Sequence, residues 1–389
     1  MDTRYRHRRY AAAIGLILNT SVAVAAQPRP SVLRDWTLAK QPTLSLGGGD
    51  SPEKDFLRVS GVFRLSTNRI AVVNAATNEI RFFNSDGKLV RTFGRTGGGP
   101  GEFRQIAWAG RAGDTLFVSD HSLRRISTIT TDGVPELVRS TGLTAEGGRG
   151  NFFAGGRLRD GRWLVRTYTS PGWDGPPGVH RLPASAGLIA AAADGKVSWI
   201  AERPGMAVFV YNPTGNIKQA SVGLTAFTPS FDAVADGPFV WLADSDSDSL
   251  EQLNPSTAER LSVRLPLQPI APSRALVAAA RAREEAMART DQGREWVKAK
   301  FSAKYLPRHL PRFEALVPGP AGELWVQQYA GNHTDSARYL VLDNKLRPVA
   351  WVRTPSGFRV HEVGMDYVLG VHQDTDGVES VRMYHLTRR

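Results

Sequence analysis

Five polar residues occupy one recurring place in this chain, the end of a short apolar run. Asn74 closes Ile70-Ala71-Val72-Val73 and Asp120 closes Leu116-Phe117-Val118-Ser119, while Thr167, Asp244 and Gln328 end comparable runs. A carboxylate or amide at a strand end can cap the turn that follows, by bonding nearby backbone. If equivalent strands surround an axis, it can instead join its counterparts in a polar ring that takes up a ligand. Asn74, Asp120, Asp244 and Gln328 are therefore the candidate binding residues, at the mouth of a central channel.

Other groups invite chemistry and do not support it. The run Gly94 to Gly101 has the look of a phosphate cradle. A P-loop needs Lys-Ser/Thr opening a helix, and a dinucleotide site needs a helix N-terminus, whereas a strand follows here. Its glycines suit a turn with positive φ. Asp244, Asp246 and Asp248 alternate like calcium ligands, but an EF-hand wants Gly and Glu where Ser249 and Pro255 stand. Asp374-Thr375-Asp376-Gly377 reads as an acidic turn. The eight histidines include no HxH or HExxH spacing, and His333 and His372 read as polar loop or strand-end residues. No GxSxG elbow anchors a serine triad. No catalytic residue and no metal ligand is assigned, and the sequence leaves any cofactor unknown.

These residues are positioned by a repeat. Ile70 to Gly87 and Leu116 to Gly133 align without gaps: a strand ending in Asn or Asp, four loop residues, a strand opening on a charged residue and Ile, then Asp-Gly. Asp-Gly between apolar runs is a hairpin signal, because Gly accepts the positive φ of the turn. A period of about 40 to 50 residues with four strands per unit is that of a propeller blade.

Between the two units lies Gly94-Arg95-Thr96-Gly97-Gly98-Gly99-Pro100-Gly101-Glu102-Phe103. A strand ending in Phe-Gly, a link closing in Gly-Pro-Gly-Glu-Phe, and a later Val-x-Asp before Arg-Ile resemble NHL-repeat proteins. Among these the chain is most similar to the broad bacterial group of six-bladed β-propellers. The resemblance covers roughly residues 59 to 140 and implies an all-β ring. Gluconolactonase-like propellers of that shape place a Glu-Gly-Pro on the first inner strand. The corresponding strand here, Val59-Ser60-Gly61-Val62-Phe63, has no acid. NHL-type amidating lyases use a His-bound zinc that these histidines do not assemble.

Four further units follow from strand rhythm, around Arg162 to Arg166, Pro238 to Asp244, Glu323 to Gln328, and Tyr367 to Val371. The last has only three strands before the chain ends. The segment from Trp36 to Leu46 can supply the fourth and close the ring, leaving no open sheet edge at the seam. After Pro272 the rhythm breaks. Ser273 is a good N-cap and Arg274 to Thr290 is rich in helix formers, so a helical insertion at about 273–301 is expected between blades 4 and 5.

The start of the chain predicts export. Arg4, Arg6, Arg8 and Arg9 precede the apolar stretch Ala11 to Leu18, and small residues follow to Ala26, the three parts of a secretory signal. The expected division is a signal peptide at 1–26 and one propeller domain at 27–389, periplasmic or extracellular, with no transmembrane segment. There is no cysteine, so disulfides and thiol chemistry are excluded. The formal net charge is +12, which favours anionic partners, but arginines spread through strands and turns do not point to nucleic acid. The reading that results is a binding or scaffolding module for a glycan, peptide or protein surface. The alternative is a propeller hydrolase or lactonase with a metal in the channel.

Overall fold

The computed structural model describes residues 23–24, 33–48, 51–131, 134–142, 152–168, 176–190, 196–216, 220–331 and 335–389. The signal expected at 1–26 lies, except for 23–24, outside the described residues, as does His333.

Six antiparallel sheets follow one another along the chain. Blade 1 is Val59–Arg64, Ile70–Asn74, Glu79–Phe83 and Leu89–Phe93, and blade 2 is Ile106–Ala112, Thr115–Asp120, Arg125–Thr130 and Glu136–Gly142. The innermost strands of the other four are Phe152–Arg157, Phe231–Asp236, Phe313–Pro318 and Phe358–Val363. Each innermost strand touches the innermost strands of both neighbours, and that of blade 6 returns to that of blade 1. The ring is closed.

The core lies between blades rather than in one centre. Strand side chains alternate between the two faces of a sheet, and in a propeller both faces meet a neighbour, so each blade contributes apolar residues to two clusters. Phe82, Leu116 and Val118 pack between blades 1 and 2, and Trp241, Val326 and Leu340 between blades 4 and 5. The Gly-rich link serves this packing. Phe103 is fully buried, and a Cβ on Gly94, whose φ is +89°, would stand 2.7 Å from its ring. Glu102 pairs with Arg95 and accepts the Gly99 N–H at 2.8 Å, so the loop is ordered by its own residues. Here glycine permits a close approach to a buried aromatic, and no phosphate need be invoked.

The seam is closed by the N-terminal segment, and more thoroughly than rhythm alone suggests. Leu44–Leu46 pairs with the last strand, Glu379–Thr387, in register Leu46 with Val381. Arg34–Leu38 runs parallel to Pro348–Ser356 of blade 5 and then, at Thr37 and Leu38, antiparallel to blade 6. One segment therefore completes blade 6 and straps it to blade 5.

Two elements depart from the four-stranded blade. The helical insertion is present as Arg274–Met287 and Asp291–Lys300, capped by Ser273 Oγ and Thr290 Oγ1. The other departure is legible only in the structure. The third and fourth strands of blade 3, Gly178–Ile189 and Val197–Tyr211, run on beyond their sheet, and Ser221–Leu224 joins them as a fifth strand. The helices rest on this wing: Trp296 and Tyr305 pack on Phe209, and Lys300 bonds the Leu224 carbonyl at 3.3 Å.

Candidate functional site

The strand-end residues occupy equivalent places, as the repeat requires. Val59 faces Asn74, Ile106 faces Asp120, Phe152 faces Thr167, Phe231 faces Asp244, Phe313 faces Gln328 and Phe358 faces His372. His372 is thus the sixth member of the set. Each side chain that bonds does so to its own surroundings. Among the described residues no hydrogen bond joins any two of Asn74, Asp120, Asp244 and Gln328.

Asn74 is buried; its Oδ1 accepts the Leu57 N–H at 3.0 Å and its Nδ2 donates to the Asp55 carbonyl and Thr77 Oγ1. Asp120 is fully buried and accepts three backbone N–H groups, from Arg104 at 2.6 Å, Gln105 at 3.1 Å and Leu123 at 2.8 Å. Both side chains fasten the link entering the inner strand to the turn after the second strand. Asp244 is half-buried and forms a 2.8 Å ion pair with Arg181, which also reaches Asp246 at 3.1 Å. Two of the three calcium-like acids are thus bridged by a guanidinium, and among the described residues no three His, Asp or Glu are grouped to hold a metal ion. Gln328 is half-buried at the end of its strand.

The residues that do face the channel mouth lie one strand further in. In each inner strand the second residue is Ser60, Ala107, Phe153, Asp232, Glu314 or Arg359, each part-buried or exposed and each following a buried apolar residue. Bulges fall at this position in blades 1, 2 and 5 and two residues further along the strand in blades 3 and 6, setting two residues against one. Blades 4 to 6 make this rim polar. Asp232 pairs with Arg166 at 2.7 Å. Glu314 accepts from Gln327 at 2.8 Å and from the Ala330 N–H at 3.0 Å, and Tyr339 donates to Gln327 at 2.9 Å. Arg359 lies 3.6 Å from Glu379 and donates to His361 Nε2 at 3.3 Å. Burial beside that guanidinium pushes the His361 imidazole down to about 3. His361 therefore faces Arg359 as a neutral acceptor at neutral pH.

Blades 2 and 3 give the rim an aromatic side. His121, directly after Asp120, stacks on Phe153 with centroids 5.2 Å apart, and Phe153 meets Tyr168 edge-on at 6.0 Å. Between blades 5 and 6 the rim opens into a cleft of about 240 Å³ lined by Glu314, Gln327, Asp335, Arg359, Gln373 and Glu379, among others. A second cavity, of about 330 Å³, lies between the wing and the insertion, against Arg181, Phe227, Lys304 and Tyr305.

The far end of the channel is crossed. Arg111 of blade 2 meets Glu362 of blade 6 at 2.7 Å, with blade 1 between them along the ring. Glu362 also accepts from the Arg64 N–H and from Tyr367. Asp236 of blade 4 points towards the same place, its carboxyl raised by burial while Gly237, Arg111 and Arg159 oppose the shift. The channel is thus open at one mouth and tied across at the other.

Sequence reasoning aligned the second strands and overlooked the first. A signal was present: Phe152-Phe153-Ala154, Phe231-Asp232-Ala233, Phe313-Glu314-Ala315 and Phe358-Arg359-Val360 share an aromatic, a variable residue and a small or branched one. The variable residue is the one that faces the mouth.

Comparison with known proteins agrees on the fold. Residues 54–126 match a family described as "6-bladed beta-propeller". No curated protein matches the chain in sequence. A member of the duf4221 family from Bacteroides vulgatus is similar in structure, with 11% identity, a TM-score of 0.54, and coverage of 92% of this chain and 100% of that one. A candidate exported protein of Bacteroides fragilis is similar at 12% identity and a TM-score of 0.51, covering 92% and 98%. Identity this low speaks for architecture alone. By its ring of inner strands, its matched segment and these neighbours, the chain is a six-bladed β-propeller.

Proposed function

We propose that this propeller is an exported binding module that takes a polar ligand (a glycan, a peptide or a protein surface) at the open channel mouth. The observation that carries the reading is the fixed geometry of Asp232, Glu314 and Arg359. Each is held by a named partner before any ligand arrives, so little ordering remains to be done on binding. The cleft between blades 5 and 6 adds donors and acceptors beside them, the few placed polar groups that set ligand orientation.

The alternative is a hydrolase or lactonase using a channel metal; among the described residues no three His, Asp or Glu are grouped as its ligands. Export rests on the N-terminal pattern.

The test is a mixed glycan and peptide array probed with purified protein, alongside metal analysis and a lactone hydrolysis assay. Retention of a discrete set of probes by metal-free, hydrolytically inactive protein supports the binding reading. Stoichiometric metal with lactone turnover would replace it by the alternative.

A further inference from the structure

Half of the protein's formal charge sits in a tenth of its length. Residues 274–312, the helical insertion and the segment leading from it to blade 5, hold ten Lys and Arg against four Asp and Glu, a net of +6 within a chain of +12. Some of these cations are accounted for internally. Lys300 is buried and paired with Glu284, and Arg281, Arg294 and Lys298 pair with Glu285, Asp291 and Glu295. Arg274, Arg283, Arg289, Lys304 and Arg308 are exposed and have no carboxylate partner among the described residues.

The same region exposes apolar side chains. Met287, at the end of the first helix, is 66% exposed and Ile270, just before the insertion, 46%. The first helix has no buried residue at all, although Leu276, Val277 and Ala280 lean on the wing side. Ala275, Ala278, Ala279, Ala282 and Ala286 are exposed between Arg274 and Arg283 around the helix, and Arg283 and Met287, four residues apart, share one side near its C-terminal end. The second helix is fastened to the wing of blade 3 by Lys300 and by Trp296 on Phe209, and the Leu310 N–H joins the Ile270 carbonyl at 2.8 Å across the base of the insertion.

We infer that the helical insertion docks the protein onto an anionic lipid bilayer, with its unpaired arginines on the headgroups and Met287 entering the interface. Charge complementarity selects an anionic partner: five cations without a carboxylate partner among the described residues lie between 274 and 308 and give this part of the surface a positive excess. The accompanying apolar side chains select a bilayer over a soluble polyanion. Basic residues gain from headgroup phosphate, while apolar ones gain only where acyl chains lie beneath. The inference is independent of the ligand proposed for the channel mouth, because it uses none of the rim residues.

Vesicle flotation of the purified protein tests it, with phosphatidylcholine alone and with one third phosphatidylglycerol. Flotation is expected with the anionic vesicles only, and it should be lost at high salt. The triple variant Arg274→Gln, Arg283→Gln, Arg289→Gln should bind about a hundred-fold more weakly, given roughly one headgroup interaction lost per charge. A charge-matched control, Arg91→Gln, Arg139→Gln, Arg264→Gln, removes exposed arginines from the outer strands of blades 1, 2 and 4 and should float like the parent. Unchanged circular dichroism and melting confirm that both variants fold. Equal flotation with both vesicle types, no flotation with either, or loss to the same degree in the control would overturn the inference. So would retention on polyphosphate beads without flotation.

Discussion

Arg111 and Glu362 stand on inner strands two blades apart, and their 2.7 Å contact ties blade 2 to blade 6 across the far end of the channel. Glu362 is largely buried and also holds the Arg64 N–H and Tyr367, so its removal strands a guanidinium and two further donors. Breaking one partner of a buried pair typically costs about 3–5 kcal/mol. Glu362→Ala should lose most of that range and Glu362→Gln, which keeps the shape and one acceptor, clearly less. Denaturant unfolding measures both. A Glu362→Ala protein as stable as the parent would show that the far end is not tied by this contact.

Asp120 and Asp244 separate capping from surface pairing. Asp120→Ala leaves three backbone donors without their acceptor in a fully buried place, and a loss of about 2–4 kcal/mol is expected. Asp244→Ala removes a half-buried ion pair and should cost about 1 kcal/mol. Thermal melts of the two variants should therefore fall in that order. The reverse order would mean that Arg181 and Asp244 organise the wing more than the turn after Asp120 organises blade 2.

Ring closure gives a third expectation. Leu46 is 1% exposed, packed with Phe83 and Val381, and sits on the short strand that completes blade 6. Leu46→Asp should uncouple that strand, since an unpaired charge in an apolar cluster is not tolerated. Amide exchange should then speed up along Glu379–Thr387, whose edge is no longer covered. Exchange unchanged there would refute closure by Leu44–Leu46.

His361 predicts a pH response with a definite sign. Its folded-state value of about 3 is below the ordinary 6.5, so the unfolded chain binds more protons between those limits. The stability it contributes is present above about pH 6.5 and declines as pH falls towards 3. In NMR titration its imidazole resonances should stay at neutral-form positions through pH 5. A midpoint near 6.5 would place His361 in open water instead of against Arg359.

The architecture was legible because it rests on local chemistry that repeats. Asp86-Gly87 and Gly94 with Phe103 specify turns and a buried plug whatever else the chain does, and the spare strand at Leu46 answers a unit that is one strand short. The site was less so. Asn74 and Asp120 look the same in sequence whether they cap or bind, and only their buried N–H partners decide between the two. Asp232, Glu314 and Arg359 differ in charge, so as a set they do not look conserved in type along the repeat; what repeats is their place after an aromatic. The wing escaped notice because long strands share the period of short ones.

The most direct test of binding at the open mouth is calorimetric titration of an array-selected ligand into four proteins of equal melting temperature. These are the parent, Arg359→Ala, Glu314→Gln and, away from the rim, Arg139→Gln. Binding weakened about ten-fold or more in the two rim variants, and unchanged in the third, is the predicted result. Equal affinity across all four would contradict a site at the channel mouth.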